Sequence, residues 1–399
     1  MTGHEKMAAA FSEGGVSEFP AVICYEGLFT RDHWPQLTQK PWWVEQSPDL
    51  EEQLGLKRDI FDKLPTDWFH IRPYYNRAER LNLAIVTEGA DVYRVNRQTN
   101  QKTLIPRPRV GGWLADAPHS VRRDKPACSR EEIDALIPDP AQLSEISRIP
   151  ASAGRREWAA GAKSFDPAAF RSSGVGDLAH ACIREFGQDR MPFGHVASSL
   201  WCCYGIWGFE DMMTMALDHP ELVEHACRRL TENTLFGIRA RAAMGAKVIW
   251  IEECLTDMVS PDTFARLNVP FLKQITREIH EAGMKSVYYY CGNPEGKWDH
   301  ILSVGADALA FEESKKGFTI DIKDVVWRVK GRCTVFGNLD SVGMLQNGTE
   351  AQLRDEIKRQ MQAGRQNDNR FVMSIGSPVT PETPVSRVKL YLDLAHQDG

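Results

Sequence analysis

Between about residues 190 and 396 the chain alternates short apolar runs with amphipathic helical stretches. The runs lie at residues 191–196, 247–251, 285–290, 306–311, 334–336 and 371–375. Apolar strands that each precede a helix are typical of a parallel sheet covered by helices on both faces. One helix is predicted to begin at Ser260-Pro261, a serine N-cap followed by proline, and to end near Gly283. This alternation predicts an α/β fold built from successive β/α units.

Polar residues stand where nearly every one of these runs ends. Glu252-Glu253 follows one run, Cys291 and Asn293 follow the next, and Asn338 follows a later one. In an open doubly wound sheet such residues gather at one switch point, whereas all strand ends of a closed barrel face a shared mouth. We therefore predict a (β/α)8 TIM barrel with its site at the carboxyl ends of the strands.

The first 180 residues are less regular than the rest. A first strand is predicted at about residues 20–25 and a second at about residues 81–86. Residues 88–165 are interpreted as an irregular insertion that covers the mouth as an antiparallel layer. No internal repeat or low-complexity tract divides the chain, so residues 1–399 are interpreted as one barrel domain with an N-terminal extension and regular β/α units from about residue 190.

Charge, hydrophobicity and cysteine content indicate which partners and which cell compartment to expect for this protein. The formal net charge is −6 with no Lys/Arg block, which argues against nucleic acid. No run of about 18 apolar residues exists, which argues against a membrane span. Nine cysteines without a CxxC pair favour reduced thiols, so a cytoplasmic protein is expected. The sequence leaves the oligomeric state open, a homodimer included.

Three residues are predicted to carry the chemistry: Glu252, Glu253 and Tyr289. A carboxyl group beside a like charge has a raised pKa and can protonate a leaving oxygen. The structural alternative for this pair is a loop carboxylate stabilised by the helix that follows. Tyr289 alternates with Val287 and Cys291 along its run, so its phenol is placed to face the interior, where it either donates a proton or packs.

Nine further residues are predicted to bind substrate, because each lies near a predicted strand end or in the aromatic segment 201–209. They are Tyr25, Glu26, His195, Tyr204, Cys291, Asn293, Glu312, Asn338 and Ser377. The aromatic segment fits a flat ring or a corrinoid, and core packing is its alternative. Asn293 and Asn338 each follow a glycine, so turn formation is their alternative.

The order of these motifs resembles the uroporphyrinogen decarboxylase superfamily, which includes corrinoid-dependent methyltransferases. The matching elements are Tyr289-Tyr290-Cys291-Gly292-Asn293, Gly305-Ala306-Asp307, Gly337-Asn338-Leu339-Asp340 and Thr383-Pro384. The likeness extends from about residue 210 to residue 394. It implies a (β/α)8 barrel, in agreement with the alternation of strands and helices.

Decarboxylases of this superfamily carry an arginine-rich element after the first strand, which holds a tetrapyrrole with many carboxylates. This chain has an acidic and aromatic segment there, Tyr25-Glu26-Gly27-Leu28-Phe29, which suits such a substrate poorly. The resemblance therefore favours the methyltransferase branch of O-demethylase type. It implies transfer of a methyl group from a small donor, expected to be a methoxylated aromatic compound, to cob(I)alamin.

The cobalamin is expected on a partner corrinoid protein, because the chain has no Asp-x-His-x-x-Gly element to bind it. Two alternatives remain. One is a barrel decarboxylase acting on a different substrate, and the other is a non-catalytic barrel that binds a corrinoid or tetrapyrrole.

The resemblance also raises the question of zinc. Zinc-bearing members of the methyltransferase branch use a His-x-Cys pair, a later glutamate and a cysteine after the last strand. This chain keeps Cys291 and has Glu312 further along, but Tyr289 replaces the histidine and Ser377 stands where the last cysteine belongs. Tetrahedral zinc needs three or four ligands. The implied zinc set is therefore incomplete, with Cys291 and Glu312 as its ligands if the metal binds.

Overall fold

A sheet of eight parallel strands forms the centre of the computed structural model, which describes residues 1–112, 126–137, 165–315 and 317–398. In chain order the strands are β1 (Ala21–Val22), β2 (Trp68–His70), β3 (Leu83–Glu88), β4 (Asp91–Asn96), β5 (Lys102–Leu104), β6 (Met191–Ala197), β7 (Val248–Glu253), β8 (Lys285–Tyr290), β9 (Ala308–Phe311), β10 (Thr334–Phe336) and β11 (Phe371–Ser374).

The large sheet curls into a nearly closed barrel. Its strands follow the order β1-β11-β10-β9-β8-β7-β6-β2, and every neighbouring pair is parallel. The two ends of this order meet, because the Asp67 N–H donates to the Ala21 carbonyl at 3.0 Å. We call the space between β1 and β2 the seam, and the carboxyl ends of the barrel strands the mouth. The predicted (β/α)8 TIM barrel is confirmed.

Helices precede the barrel strands, connect them and follow the last one. They are Gly3–Ala10, Glu26–Asp32, Trp34–Leu37, Leu50–Phe61, Arg77–Asn82, Arg130–Leu136, Pro167–Ser173, Asp177–Phe186, Ser199–Asp218, Pro220–Met244, Pro261–Leu267, Val269–Glu281, Trp298–Ser303, Ile322–Val329, Glu350–Arg365 and Val385–Asp398, with short helical turns at Trp42–Gln46, Thr256–Met258 and Ser341–Gln346. None of the helices in the described ranges combines the length and apolar character that a membrane span requires.

The second barrel strand lies at Trp68–His70, so its prediction at residues 81–86 is wrong. Leu83–Glu88 instead pairs antiparallel with β4, which pairs with β5 in a separate three-stranded sheet. Only Leu83 of that strand is fully buried, whereas its last two residues are exposed. A three-residue barrel strand gives too short an apolar run to stand out, while an edge hairpin with several apolar residues does.

The insertion predicted at residues 88–165 is described only in part, since residues 113–125 and 138–164 lie outside the described residues. The described parts contact the rest of the chain at several points, two of which follow. The Gly112 N–H donates to Asp32 at 2.7 Å, and the Trp207 indole donates to the Ala127 carbonyl at 3.0 Å. Coverage of the mouth and the single-domain organisation remain predictions.

The helix predicted from Ser260 to Gly283 is broken at Asn268. Pro270, at the start of the second half, has no N–H for the helical ladder and crowds the preceding turn. Asn268 leaves the helical conformation at φ −122° and ψ −51°, and its buried amide donates to Glu253 at 2.5 Å. The break therefore supplies a hydrogen bond to a buried carboxyl group.

The N-cap at Ser260 is confirmed, and it makes a testable contribution to stability. Its hydroxyl accepts from the Thr263 N–H at 3.1 Å. Replacing Ser260 with alanine is expected to lower the free energy of unfolding by about 1 kcal/mol, because that N–H loses its partner. Glycine, which tolerates the cap position, is expected to cost only a few tenths of that, and urea unfolding of both variants measures the difference. Equal losses in both variants would contradict the cap assignment.

Aromatic side chains fill the middle of the barrel. Trp68, Phe193, Trp250 and Phe336, which we call the floor, come from four different strands. Trp68 stacks on Phe193 with ring centroids 4.0 Å apart and meets Trp250 edge to face at 5.8 Å. Phe336 closes the group, 5.6 Å from Trp68 and 6.1 Å from Trp250. Because side chains alternate along a strand, the residue two positions after a floor residue also points inward, toward the mouth.

Candidate active site

Three polar residues lie above the floor, each two positions after a floor residue. They are His70 on β2, His195 on β6 and Glu252 on β7. Tyr289 on β8 joins them, since its ring stacks on Trp250 with centroids 5.0 Å apart and planes at 26°. The barrel interior therefore ends in a layer of imidazole, carboxylate and phenol groups at the mouth.

Glu252 is the centre of this layer. It is 2% exposed, and its Oε1 accepts from the Tyr25 hydroxyl at 2.5 Å and from the Cys254 thiol at 3.1 Å. Its Oε2 accepts from the Trp250 indole at 3.0 Å and lies 3.2 Å from His195 Nε2. The structure thus brings together Tyr25, His195 and Glu252, three of the predicted site residues.

These contacts set the charge of Glu252. Burial acts to raise its pKa, but the hydrogen bond and charge of His195, with the hydrogen bonds from Tyr25 and Cys254, outweigh burial and lower the pKa below its usual value. Glu252 is therefore an anion at neutral pH. The expectation of a raised pKa at this position is wrong, because the donors around the carboxylate favour its ionised form.

Glu253 faces the opposite side of β7. Its carboxyl group accepts from the Ser198 hydroxyl at 2.8 Å, from Asn268 at 2.5 Å and from the Tyr288 hydroxyl at 3.2 Å. These partners lie between the barrel and its helices, and Glu253 is fully buried. Burial raises the pKa of Glu253 to about 7. The two glutamates thus do not form the predicted pair at the mouth, because consecutive strand residues point to opposite faces.

Tyr25 occupies a strained position. It precedes the helix Glu26–Asp32 with φ 58° and ψ 45°, a left-handed conformation that residues other than glycine rarely adopt. Strain of this kind persists where the surrounding structure requires it, often at functional sites. The conformation places the Tyr25 ring edge to face against Tyr289 at 6.1 Å and its hydroxyl on Glu252.

Tyr289 is buried in the barrel interior as predicted, but its hydroxyl is already engaged. It donates to the Gly376 carbonyl at 2.8 Å. The ring lies between Trp250 and Tyr25 and provides a flat apolar wall. The phenol that contacts the central carboxylate is that of Tyr25. The proton-donor role predicted for Tyr289 remains a prediction.

A second chain of contacts crosses the mouth from β8 to β11. The Cys291 thiol donates to Glu312 at 3.3 Å, and a hydrogen bond with Cys291, together with burial, raises the pKa of the Cys254 thiol well above its usual range. Lys315 binds Glu312 at 3.0 Å and also donates to the Ser377 hydroxyl. The predicted residues Cys291, Glu312 and Ser377 are therefore joined through Lys315.

The remaining predicted site residues use their polar groups within the protein. Asn293 is exposed, and its side chain accepts from the Glu295 N–H at 3.0 Å, a local turn. Asn338 donates to the carbonyls of Glu312 and Ile320. The Tyr204 hydroxyl donates to the Leu255 carbonyl at 2.8 Å. The turn and packing alternatives account for these contacts, and the predicted substrate-binding roles remain predictions.

Sequence reasoning missed three residues of the site. His70 was missed because β2 was not recognised. Cys254 directly follows the strand-end glutamates, so its position alone was a usable signal. Lys315 lies in a loop after β9, and only the fold shows that its ammonium group reaches two neighbouring carboxylates, Glu312 at 3.0 Å and Glu313 at 3.5 Å.

A zinc site is not assembled by the described residues. No group of three or more His, Cys, Asp and Glu side chains among them is arranged to hold a metal ion. Cys291 and Glu312, the two ligands implied by the resemblance, do contact each other at 3.3 Å. Two side chains fall short of the three or four ligands of tetrahedral zinc. We therefore derive no step through a metal.

Two known proteins that are similar to this chain are both uroporphyrinogen decarboxylases. The chain is 23% identical over 225 residues to the uroporphyrinogen decarboxylase of Hahella chejuensis, covering 54% of this chain and 61% of that protein. It is 24% identical over 240 residues to the enzyme of Xanthomonas axonopodis pv. citri, covering 54% and 66%. The match thus spans less than two thirds of the length of these relatives.

The fold has a solved counterpart, and the family assignment follows from the sequence. A methyltransferase from Methanosarcina mazei superposes over 100% of this chain and 99% of its own, with a TM-score of 0.63 and 17% identity, which supports the barrel fold. The family model for uroporphyrinogen decarboxylase (URO-D) matches residues 184–397, more than half of the chain. The chain therefore belongs to the uroporphyrinogen decarboxylase family.

Proposed function

We propose that this protein is a methyltransferase that moves a methyl group from a small methoxylated aromatic compound to cob(I)alamin carried by a partner protein. The observation that carries the proposal is the ionised Glu252 at the barrel mouth, held between Tyr25 and His195 above an aromatic floor. Such a site can bind a flat ring and donate one proton to the leaving oxygen.

The shape of the mouth supports an aromatic donor. Trp250 and Tyr289 stack nearly parallel, and Tyr25 stands edge-on to Tyr289. Aromatic rings pack well against one another in both arrangements. A methoxybenzene ring has the size and flatness to lie against this wall, with its methyl group toward the open mouth.

His195 is the proton donor in the proposed reaction. Its Nε2 contacts Glu252, its Nδ1 makes no hydrogen bond within the described residues, and its side chain is 39% exposed. The Co(I) electron pair forms the new bond to the methyl carbon, the carbon–oxygen bond breaks, and its electron pair stays on the aryl oxygen. In the proposal His195 donates a proton to that oxygen, and the 3.2 Å contact between its Nε2 and Glu252 orients the imidazole ring.

The rim of the mouth offers a surface for the corrinoid. Phe209 is 42% exposed and stacks on Tyr204, and Met258, 57% exposed, follows β7 in the loop that carries Leu255. Exposed apolar side chains beside a site suit a macrocycle brought by another protein.

All nine cysteines, each within the described residues, are free thiols. That state suits a reducing cytoplasm, where we propose the protein acts.

A decarboxylase acting on another substrate is the second candidate, because the curated relatives are decarboxylases. The described part of the mouth favours it less for a substrate with many carboxylates. Lys315 already contacts Glu312 and Glu313, and Arg31 is paired with Asp32 at 2.8 Å. Cations that are already neutralised contribute little to binding further carboxylates.

An anaerobic assay tests the proposal. The protein is mixed with cob(I)alamin and a panel of methoxybenzenes and methoxyphenols, and visible spectroscopy follows conversion to methylcobalamin. Formation with at least one donor, absent without protein, is the expected result. Carbon dioxide release from aromatic carboxylic acids without corrinoid would instead establish the decarboxylase. Tight cobalamin binding without turnover of any donor, even with a corrinoid protein supplied, would contradict catalysis and identify a binding barrel.

Tyr25 and Tyr289 give a matched pair of variants in that assay. Tyr25→Phe removes a hydrogen bond to the charged Glu252, so kcat is expected to fall about 10-fold with little change in KM. Tyr289→Phe removes only the bond to the Gly376 carbonyl and is expected to affect kcat far less. A larger loss for Tyr289→Phe would restore Tyr289 as the proton donor and contradict the assignment.

A further inference from the structure

The seam between β1 and β2 is joined mainly by side chains. Asp67 accepts from the Ala21 N–H at 2.7 Å, and the Trp68 indole donates to the Ile23 carbonyl at 3.0 Å. At the mouth end of the seam, Glu26 Oε2 accepts from the His70 N–H at 3.0 Å. Glu26 and His70 therefore meet where the seam opens into the site.

His70 borders the proposed ring-binding site, and Glu26 is joined to the backbone of His70. The His70 ring is 5.2 Å from Phe193 of the floor and 6.5 Å from His195, measured between ring centroids. Glu26 directly follows Tyr25, whose hydroxyl binds Glu252. A substrate ring lying against Trp250 and Tyr289 would thus have one of its substituents near His195 and Glu252. The substituent on the adjacent ring carbon would be near the seam.

Each of the two residues carries a polar atom with no partner. Glu26 Oε1 and His70 Nε2 are buried and make no hydrogen bond within the described part of the chain. A buried polar atom of this kind costs free energy unless water or a ligand satisfies it. Neither atom has a role in the proton transfer assigned to His195.

Burial also sets the protonation states at the seam. It raises the pKa of Glu26, and, followed by the charge of His195, it lowers the pKa of His70 well below its usual value. The neutral imidazole of His70 is therefore favoured, and its Nε2 can donate or accept a hydrogen bond, whereas Glu26 Oε1 can accept one. A hydroxyl group matches both, because it donates and accepts at the same time.

We propose that Glu26 and His70 form a hydroxyl-binding pocket, which receives a free phenolic hydroxyl of the substrate next to the methoxyl group. The preferred substrates are then methoxyphenols, and methoxybenzenes without a hydroxyl bind less well because the two polar atoms stay unsatisfied. This inference rests on the proposed function for the identity of the methyl donor. The preference for a ring hydroxyl does not depend on the methyl transfer itself.

Two measurements on the whole 399-residue chain test the pocket. The first is the ratio of kcat/KM for 2-methoxyphenol to that for methoxybenzene, expected at roughly 10- to 100-fold in favour of the phenol. The second is calorimetric binding of phenol and benzene, which contain no methyl group to transfer. Phenol is expected to bind more tightly than benzene by a similar factor.

Variants separate the pocket from general packing. His70→Phe and Glu26→Leu are expected to reduce both ratios toward one, whereas Glu26→Gln, whose amide still offers a hydrogen-bonding atom at the same place, is expected to keep them. His33→Phe is the matched control. His33 is a buried histidine stacked on Phe29 at 4.3 Å, and its Nε2 also lacks a partner among the described residues.

The outcomes distinguish this inference from the proposed function. Methyl transfer with equal kcat/KM for both donors would overturn the pocket and leave the methyltransferase in place. Phenol binding that depends on His70, without methyl transfer from any donor, would support the pocket and contradict the proposed methyltransferase function. Equal binding of phenol and benzene would mean that the two atoms hold only water, and would overturn the pocket.

Discussion

Replacing Glu252 with glutamine is expected to lower kcat for methyl transfer by about 10²- to 10⁴-fold, the usual contribution of general acid–base catalysis. The carboxylate is the negative charge beside the His195 ring, and an amide of the same shape carries no charge there. The Tyr25 and Trp250 donors would also face an uncharged partner. The fall is expected mainly in kcat, since ring binding depends on the aromatic wall.

The adjacent residue supplies the control for this experiment. Glu253→Gln makes the same chemical change one position further along β7, where the side chain faces the helices. It is expected to retain most of the activity. Equal losses of kcat in the two variants would contradict the division of roles between the two faces.

The sequence predicts the barrel well because the signal is local. Apolar strands followed by helices repeat from β6 to β11, and each predicted run there overlaps an observed strand. Polar residues at strand ends likewise predicted that Tyr25, His195 and Glu252 converge, and the structure brings them into contact. The convergence of these residues follows from barrel geometry, so it can be predicted without knowing the individual contacts.

Other features depend on partners that are distant in sequence. The charge of Glu252 depends on Tyr25, 227 residues away in the chain, and on His195, 57 residues away. The short strand β2 forms because it pairs with β6, more than a hundred residues later. Glu252 and Glu253 were predicted as one pair at the mouth, but strand alternation lets only one of them face inward, and which one depends on how β7 sits in the barrel. Local patterns carry none of this information.

The two glutamates are also expected to affect stability with opposite dependence on pH. Burial raises the pKa of Glu253 from 4.5 to about 7 in the folded state. As pH rises from 4.5 to 7, the unfolded state loses this proton before the folded state does, so the free energy of unfolding falls. The full loss is about 3 kcal/mol, complete above pH 7. Glu252 has a lowered pKa, so its contribution is present above pH 4.5 and is lost on acidification.

Urea unfolding of the wild type, Glu253→Gln and Glu252→Gln at pH 5.5 and pH 8 measures this difference. Relative to the wild type, Glu253→Gln is expected to gain about 2 kcal/mol between the two pH values, because glutamine cannot ionise. The variant keeps two of its three hydrogen bonds, since Ser198 still donates and Asn268, whose Oδ1 has no partner among the described residues, can turn to accept. Glu252→Gln is not expected to gain stability over that range. A gain for Glu252→Gln with none for Glu253→Gln would mean that Glu252, not Glu253, has the raised pKa. Glu253 would then be the ionised glutamate, and the role at the mouth would have to be assigned to it.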